Sequence, residues 1–344
     1  MRIADLDEKW LARALGLDPG AVHDVRHAPL GTGQVADTYR VEFTVDGEGE
    51  RRVVLKVTSA DETSLRTGVA EQSYLREVRF YQQLAPALGV RVPICRHAEI
   101  SSDGTDFALL MEDLSAYRAG DQLTGCTPEE AAVVLSEAAG LHAPRWADPA
   151  LRDLAWLPGG RGTRPAAAVA AMSAAFPVFC RRYADLLDPD TIAVGRRLFD
   201  HLPEYFARQA EGPDTVQHGD FRPDNLLFAP EPGIVAVVDW QTVARGPGLL
   251  DVSYFLGTAL PADQRRSTEH DLVRHYHDEL CRRGVTGYRL ADCLRDYTKY
   301  AFQGYFIGAL AAMAVKRTER GDRMFTTMVR RSAAQVLELG AQLG

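Results

Sequence analysis

His218-Gly219-Asp220-Phe221-Arg222-Pro223-Asp224-Asn225 is the stretch that says most about the fold of this 344-residue chain. An apolar run follows it, then a turn rich in Pro and Gly, a second apolar run, and Asp239-Trp240. This order predicts two short strands joined as a hairpin, which would bring Asp239 back beside the loop that contains Asp220. Because an ionised side chain is costly to bury alone, an Asp that ends an apolar strand indicates a partner or a metal.

The two carboxylates and the amide have the spacing that phosphoryl transfer requires. In that chemistry one Asp orients the acceptor hydroxyl, an Asn supplies a neutral oxygen to a metal, and a second Asp binds the metals. Asp220, Asn225 and Asp239 fit these roles, and His218 completes the pattern H-x-D-x-x-x-x-N. Each piece alone is common in tight turns. The complete set in this order predicts a phosphotransferase that uses ATP and Mg²⁺.

Residues 218–239 resemble the catalytic core of the aminoglycoside phosphotransferase superfamily, whose kinase-like members phosphorylate small molecules. The continuation, Asp239-Trp240-Gln241-Thr242 and then residues 246–255, is most similar to the ecdysteroid-kinase-like branch. Protein kinases match less well, because Gly219 replaces the Arg of their catalytic triplet and no A-P-E segment follows. Activation-loop phosphorylation, which works through that Arg, is therefore not expected.

The resemblance implies an α+β fold of the bilobal, protein-kinase-like type. Residues 1–113 would form an N-terminal lobe with an antiparallel sheet and a helix, ending at the hinge. Residues 114–344 would form a larger, mainly helical lobe with the catalytic loop, the metal-binding Asp and the acceptor site. His218 and Asp251 would support the site, and Asp251 would accept hydrogen bonds from the backbone of the catalytic loop. In the sequence, Asp251 could equally be an ordinary acidic residue in the first turn of a helix.

A glycine turn near the N-terminus is a candidate phosphate loop. Gly31 and Gly33 lie between two strand patterns, and backbone amides beside glycines can approach phosphates closely. The third glycine of the protein-kinase pattern is missing, with Ala36 near its place. A plain hairpin has the same pattern, so both interpretations stay open.

Lys56 lies inside an apolar strand pattern. A Lys in such a run lies either on an edge strand of a sheet or in the interior as a buried cation with a partner. We expect it to hold the α- and β-phosphates of ATP. Its expected partner is Glu77, on the apolar stripe of a helix predicted over 70–84, with Glu71 as the alternative.

The resemblance also implies a hinge at the end of a strand predicted from Phe107. Its backbone N–H and C=O groups would read the adenine edge of ATP, so the side chains say little about it. The four residues implied are Met111, Glu112, Asp113 and Leu114.

The chain becomes helical after the hinge. Thr127-Pro128-Glu129-Glu130 is a capping box that opens a helix reaching His142, which we interpret as a packed residue rather than a functional one. Residues 157–165, around Arg161, carry the strongest loop signal, and either a lid over the acceptor site or a surface connection fits.

The last third predicts helices over 264–283, 290–316 and 322–342, which offer two sets of side chains for an acceptor site. Carboxylates would suit a cationic aminoglycoside, whereas apolar walls would suit a sterol-like molecule. The acidic set is Asp278, Glu279, Asp292 and Asp296. The apolar set is Tyr300, Phe302, Tyr305, Phe306 and Met313. The ecdysteroid-kinase-like resemblance favours a hydroxylated, partly apolar metabolite, with an aminoglycoside or another antibiotic as the alternative.

Composition is compatible with a cytoplasmic enzyme. The net charge of −8 argues against nucleic acid as the main partner. No signal peptide is evident, and the apolar stretch 301–315 is too short to span a bilayer, so no membrane partner is expected. The five cysteines show no paired metal spacing, which predicts reduced thiols.

Two alternatives to an alcohol kinase remain. A pseudokinase-like scaffold would bind nucleotide without transferring phosphate, although such proteins usually lose a catalytic Asp, the Lys or the metal-binding Asp. A kinase with an amine acceptor would keep the fold and form an acid-labile phosphoramidate.

Overall fold

The computed structural model of the chain describes residues 1–31, 35–159 and 164–343. The chain divides into two compact units, each built from segments that are separate in sequence. The first comprises Met1–Ala87, Val92–Tyr117 and Val237–Val243, and the second comprises Leu88–Arg91, Arg118–Ala236 and Ala244–Gly344. Asp239 therefore lies in the same unit as Lys56, although 183 residues separate them.

An antiparallel sheet forms the body of the first unit, and five strands of it lie in the described residues. They are β1 (Val22–Pro29), β2 (Ala36–Val45), β3 (Gly49–Thr58), β4 (Cys95–Ile100) and β5 (Phe107–Glu112), in the order β1-β2-β3-β5-β4. The central strand β3 places Lys56 opposite Thr38 on β2 and Leu109 on β5. Lys56 is thus in the middle of the sheet and not at an edge.

Helix α1 (Glu8–Leu15) packs on this sheet. Asp7 caps it by accepting a hydrogen bond from the Trp10 N–H at 2.6 Å, and Gly16 ends it with a φ of 68°. Leu11 and Ala12 are fully buried in a cluster with sheet residues such as Leu55. The helix is held mainly by this apolar face.

The helix predicted over 70–84 is interrupted. Helix α2 (Glu62–Ala70) ends before Gln72, whose φ is 56°, and α3 (Ser73–Arg79) continues as a π-helical turn over Phe80–Leu84. The apolar stripe fits an ordinary helix, so periodicity alone predicts one. A close approach accompanies the break, since a Cβ on Gly68 would lie 2.5 Å from the ring of Tyr74.

The second unit is mainly helical. Helix α4 (Pro128–His142) begins at the predicted capping box, in which Thr127 and Glu130 exchange hydrogen bonds of 3.0 and 3.2 Å. The helices that follow are α5 (Ala166–Arg182), α6 (Pro189–Asp200), α7 (Leu202–Arg208), α8 (Leu249–Ala259), α9 (Ala262–Arg282), α10 (Leu290–Lys299), α11 (Gln303–Ala314) and α12 (Glu319–Glu338).

Short strands frame the loop 218–225, which we call the catalytic loop. They are β6 (Arg118–Ala119), β7 (Asp214–Gln217), β8 (Leu226–Phe228), β9 (Val235–Val237) and β10 (Ala244–Pro247). The loop begins where β7 ends, and β8 follows it directly. The predicted hairpin is present, because β8 neighbours β9 and the Ala229 N–H donates to Ile234 O at 3.0 Å.

The prediction of one helix over 290–316 is wrong, since α10 and α11 are separate helices. Tyr300 and Phe302, which lie at the break, are 2 % and 0 % exposed. Because apolar residues are buried on both sides of the break, the apolar pattern in the sequence continues across it and does not reveal where α10 ends. In the described part of the chain, no helix has both the length and the apolar character needed to cross a membrane.

Candidate active site

Three side chains hold the carboxylate of Asp220 in the catalytic loop. The Tyr254 hydroxyl donates to Oδ1 at 2.9 Å, and the Arg222 Nε–H is shared between Oδ1 and Oδ2 at 3.2 and 3.1 Å. Asn225 Nδ2 donates to Oδ2 at 2.9 Å and to the Asp220 carbonyl at 2.8 Å. Burial opposes the ionised form of Asp220, but the Arg222 guanidinium, His218 and the hydrogen bond from Tyr254 together outweigh it and lower the pKa of the carboxyl. Asp220 is therefore an oriented carboxylate.

Asp251 holds the backbone of the same loop. Its carboxylate accepts hydrogen bonds from the His218 N–H at 2.7 Å and the Gly219 N–H at 3.0 Å. His142 is fully buried and joins Asp251 to the Tyr276 hydroxyl through its two ring nitrogens, at 3.3 and 2.8 Å. His142 is thus a packed residue that contacts the support of the loop.

In the first unit, the Lys56 ammonium lies between two carboxylates. It is 2.7 Å from Glu77 Oε2 and 2.9 Å from Asp239 Oδ1. Burial opposes the charged form of Lys56, but Asp239 and Glu77 outweigh it and raise the pKa of the ammonium. Glu71, the alternative partner, is exposed at the end of α2.

Trp240 fixes the backbone that carries Asp239. Its ring stacks on Phe80 in the π-helical turn, with centroids 3.8 Å apart and an interplanar angle of 9°. Its backbone N–H donates to Glu77 Oε1 at 3.4 Å. Asp239 itself has a φ of 67°, a conformation that costs a non-glycine residue energy and is found mostly at functional sites. Helix α3 therefore supports both the partner of Lys56 and the turn at Asp239.

Asn225 and Asp239 each have an oxygen suited to a metal. Asn225 Nδ2 is committed to Asp220, and no described residue donates to its Oδ1. Asp239 is 43 % exposed as a side chain, and no described residue donates to its Oδ2. Within the described residues, no three His, Cys, Asp or Glu side chains group as metal ligands. Mg²⁺ commonly takes one or two protein oxygens and completes its shell with phosphates and water, so these residues fit it.

The glycine turn and the hinge are described in part. Gly31 has a φ of 77° where the chain leaves β1, while Gly33 lies outside the described residues. Among the four hinge candidates, Met111 pairs within the sheet and the Glu112 N–H donates to Ile94 O at 2.9 Å. The Leu114 carbonyl accepts from the Tyr117 N–H at 2.8 Å. Beyond the strand lie the backbone groups of Asp113 and the N–H of Leu114. No described residue forms a backbone hydrogen bond with them.

The loop predicted over 157–165 is anchored where the structure describes it. The Arg245 N–H donates to Pro158 O at 2.8 Å, and Gly159 forms a bridge with Arg245. Residues 160–163, including Arg161, lie outside the described residues.

Arg222 and Tyr254 are the site residues that sequence reasoning missed. Arg222 is two positions from Asp220, and a cation so near in sequence could have been recognised as a partner for the carboxylate. Tyr254 is 34 residues away on α8, and only tertiary structure brings it to Asp220.

Replacing Lys56 with methionine is expected to lower the free energy of unfolding by about 3–5 kcal/mol, because Glu77 would stay buried without its cation. Urea denaturation at neutral pH measures this. The double variant with Glu77→Gln should recover most of the loss, since the fully buried charge is removed and Asp239, which also loses Lys56, is 43 % exposed as a side chain. A single variant as stable as the wild type would contradict the buried pair.

The chain is similar in sequence and in fold to known proteins. A profile of the phosphotransferase enzyme family (APH) matches residues 27–290. Acyl-CoA dehydrogenase family member 10 of Mus musculus is 40 % identical over 68 residues, which are 20 % of this chain and 6 % of that protein. The chain thus spans only a small part of the length of that relative.

Two solved structures share the fold. One is a candidate aminoglycoside phosphotransferase of Ralstonia eutropha JMP134, with a TM-score of 0.53, 16 % identity and coverage of 97 % of both chains. The other is the GDP complex of aminoglycoside 2′-phosphotransferase-IIIa, with a TM-score of 0.54, 14 % identity and coverage of 95 % of this chain and 99 % of that one. The predicted α+β fold is confirmed by this likeness. The match over residues 27–290 shows that the chain belongs to the phosphotransferase enzyme family (APH).

Proposed function

We propose that this phosphotransferase uses ATP and Mg²⁺ to phosphorylate a hydroxyl group of a small molecule. The observation that carries the proposal is the Lys56 ammonium, which is held at once by Glu77 and Asp239. A buried cation with two carboxylates is a costly arrangement to keep for stability alone. It is the arrangement expected of a Lys that must present its charge to phosphates.

The chain's own residues supply the remaining steps. Asp220, ionised and oriented, accepts a hydrogen bond from the acceptor hydroxyl and takes its proton as the oxygen bonds to phosphorus. Asn225 and Asp239 are the proposed magnesium ligands. Bound magnesium would neutralise charge on the phosphate oxygens. The backbone beyond β5, at Asp113 and Leu114, is the proposed contact for the adenine edge, and Gly31 the proposed phosphate turn.

A partly apolar acceptor is the better proposal. Among the acidic candidates, Asp292 is paired with Arg289 and Arg295 at 2.8 and 2.7 Å. Glu279 pairs with Arg282 at 2.5 Å. Asp296 accepts a hydrogen bond from Tyr288 at 2.8 Å. These carboxylates already have partners, which argues against a polycationic acceptor.

The apolar candidates instead belong to a cluster that reaches the catalytic loop. Phe302, Tyr305 and Phe306 are buried in one core with Tyr254 and Met324, and Met313 packs against it. Tyr254 donates to Asp220, and Met324 Sδ lies 3.7 Å from Arg222 Nη1. This continuity supports a hydroxylated molecule with an apolar part, as the ecdysteroid-kinase-like branch would require. An aminoglycoside or another antibiotic is the second candidate.

A coupled assay of ADP release tests the function. The purified chain with Mg-ATP should release ADP faster with one class among hydroxylated antibiotics, sterols, nucleosides and sugars. Thermal stabilisation by the same compound should accompany the response, and magnesium removal should abolish it.

Nucleotide binding with no response to any alcohol would favour a pseudokinase scaffold. A product that decomposes in acid would indicate an amine acceptor. No binding of nucleotide at all would contradict the proposal.

A further inference from the structure

The four lone-pair positions of the Asp220 carboxylate are all engaged. Tyr254 and Arg222 donate to Oδ1, and Arg222 and Asn225 donate to Oδ2. An acceptor hydroxyl can reach this carboxylate only where one of these hydrogen bonds yields. Which donor stays in place decides how the carboxylate faces the acceptor.

The three donors are not equivalent. Arg222 shares one N–H between both oxygens at 3.2 and 3.1 Å, and it also binds Asp224 at 2.7 Å. If the Arg222 Nε–H moved toward one carboxylate oxygen of Asp220, the other oxygen could accept a new hydrogen bond, and the ion pair would remain. Arg222 and Asn225 both belong to the loop that they hold, and the contact that Arg222 makes outside it, with Met324 Sδ, is a weak one at 3.7 Å.

Tyr254 comes from outside the loop. It lies on α8, whose eleven residues are all buried, and its own side chain is 1 % exposed. Asp251 is three residues earlier on the same helix, so it lies on the same face as Tyr254. Its carboxylate accepts hydrogen bonds from the backbone N–H groups of His218 and Gly219. One face of α8 thus holds the loop backbone through Asp251 and the carboxylate through Tyr254.

We propose that Tyr254 is a positioning residue for phosphoryl transfer, which fixes the orientation of the Asp220 carboxylate toward the acceptor hydroxyl from the rigid helix α8. This inference rests on the proposed function. Burial and the neighbouring Asp220 raise the pKa of the Tyr254 phenol well above 10, so the hydroxyl remains a neutral donor. The change Tyr254→Phe therefore removes one hydrogen bond and no charge.

Tyr254→Phe is expected to lower kcat by about 10- to 100-fold, the range that a small misplacement of a reacting group costs. Nucleotide affinity and melting temperature should stay close to wild type. In an Asp220→Asn background, measured in single turnovers, the same change should cost less than about twofold, because residues that act through one group are not additive.

Tyr183→Phe is the matched control. Tyr183 is 1 % exposed in the same cluster, and its hydroxyl donates to Asp322 Oδ1 at 2.9 Å, so the change also removes one hydrogen bond to a carboxylate, but outside the proposed site, and kcat should not change. The inference is overturned if Tyr254→Phe keeps kcat within about twofold of wild type. Equal losses in both backgrounds, or parallel losses of affinity and stability, also overturn it. If the wild type transfers phosphate to no alcohol, the proposed function fails first and this role with it.

Discussion

Asp220→Asn is expected to lower kcat by about 10²- to 10⁴-fold, the usual contribution of a positioned general base. Asparagine keeps the size of the side chain but cannot take the proton of the acceptor hydroxyl. Nucleotide affinity should change little, because Asp220 is not among the proposed contacts of the nucleotide or the metal, and asparagine keeps an oxygen that can accept the hydrogen bond from Asn225. Steady-state kinetics with the acceptor found in the screen, together with calorimetric titration of nucleotide, separates the two effects.

Asp271→Asn is a suitable control for that experiment. Asp271 is an exposed acid on α9 that belongs to neither proposed set of acceptor contacts, and it should be replaceable without loss of turnover. If Asp220→Asn turned over at nearly the wild-type rate, Asp220 would not be the catalytic carboxylate, and the assignment of the loop would have to be withdrawn.

Asp239→Asn is expected to weaken magnesium-dependent nucleotide binding by about 100-fold or more. Loss of a residue that merely supports a metal ligand costs 10- to 100-fold in metal affinity, and a ligand should cost at least the upper end. Asparagine tolerates the positive φ of 67° at this position, so the turn is preserved. Lys56 also keeps Glu77 as a partner. Titration of nucleotide with and without magnesium measures the change.

The comparison without magnesium identifies the cause. Both proteins should bind nucleotide weakly and about equally when the metal is removed, because the lost ligand then contributes nothing. An affinity for Mg-nucleotide equal to the wild type would show that Asp239 is not a metal ligand. If Asp239→Asn weakened nucleotide binding by the same factor without metal, the residue would act through Lys56 and not through magnesium.

Local signals in the sequence predicted much of the fold correctly. The capping box at Thr127, the hairpin of β8 and β9, and the strand that carries Lys56 all follow from patterns of neighbouring residues. The interruption at Gln72 and the break between α10 and α11 do not. Burial continues across the break between α10 and α11, so the apolar pattern could not show it. Residues 70–72 are exposed, and apolar periodicity carries no information about the φ of 56° at Gln72.

The sequence by itself determined the chemical components, since Lys56, Glu77, Asp220, Asn225 and Asp239 stand in an order and spacing that indicate phosphoryl transfer. The sequence also favoured Glu77 over Glu71 as the partner of Lys56, and the structure has that pair. Tertiary structure alone brought Tyr254 to Asp220 across 34 residues. The physical reason is that spacing in a motif reflects local backbone geometry, whereas the orientation of a charged side chain depends on donors that only packing brings near.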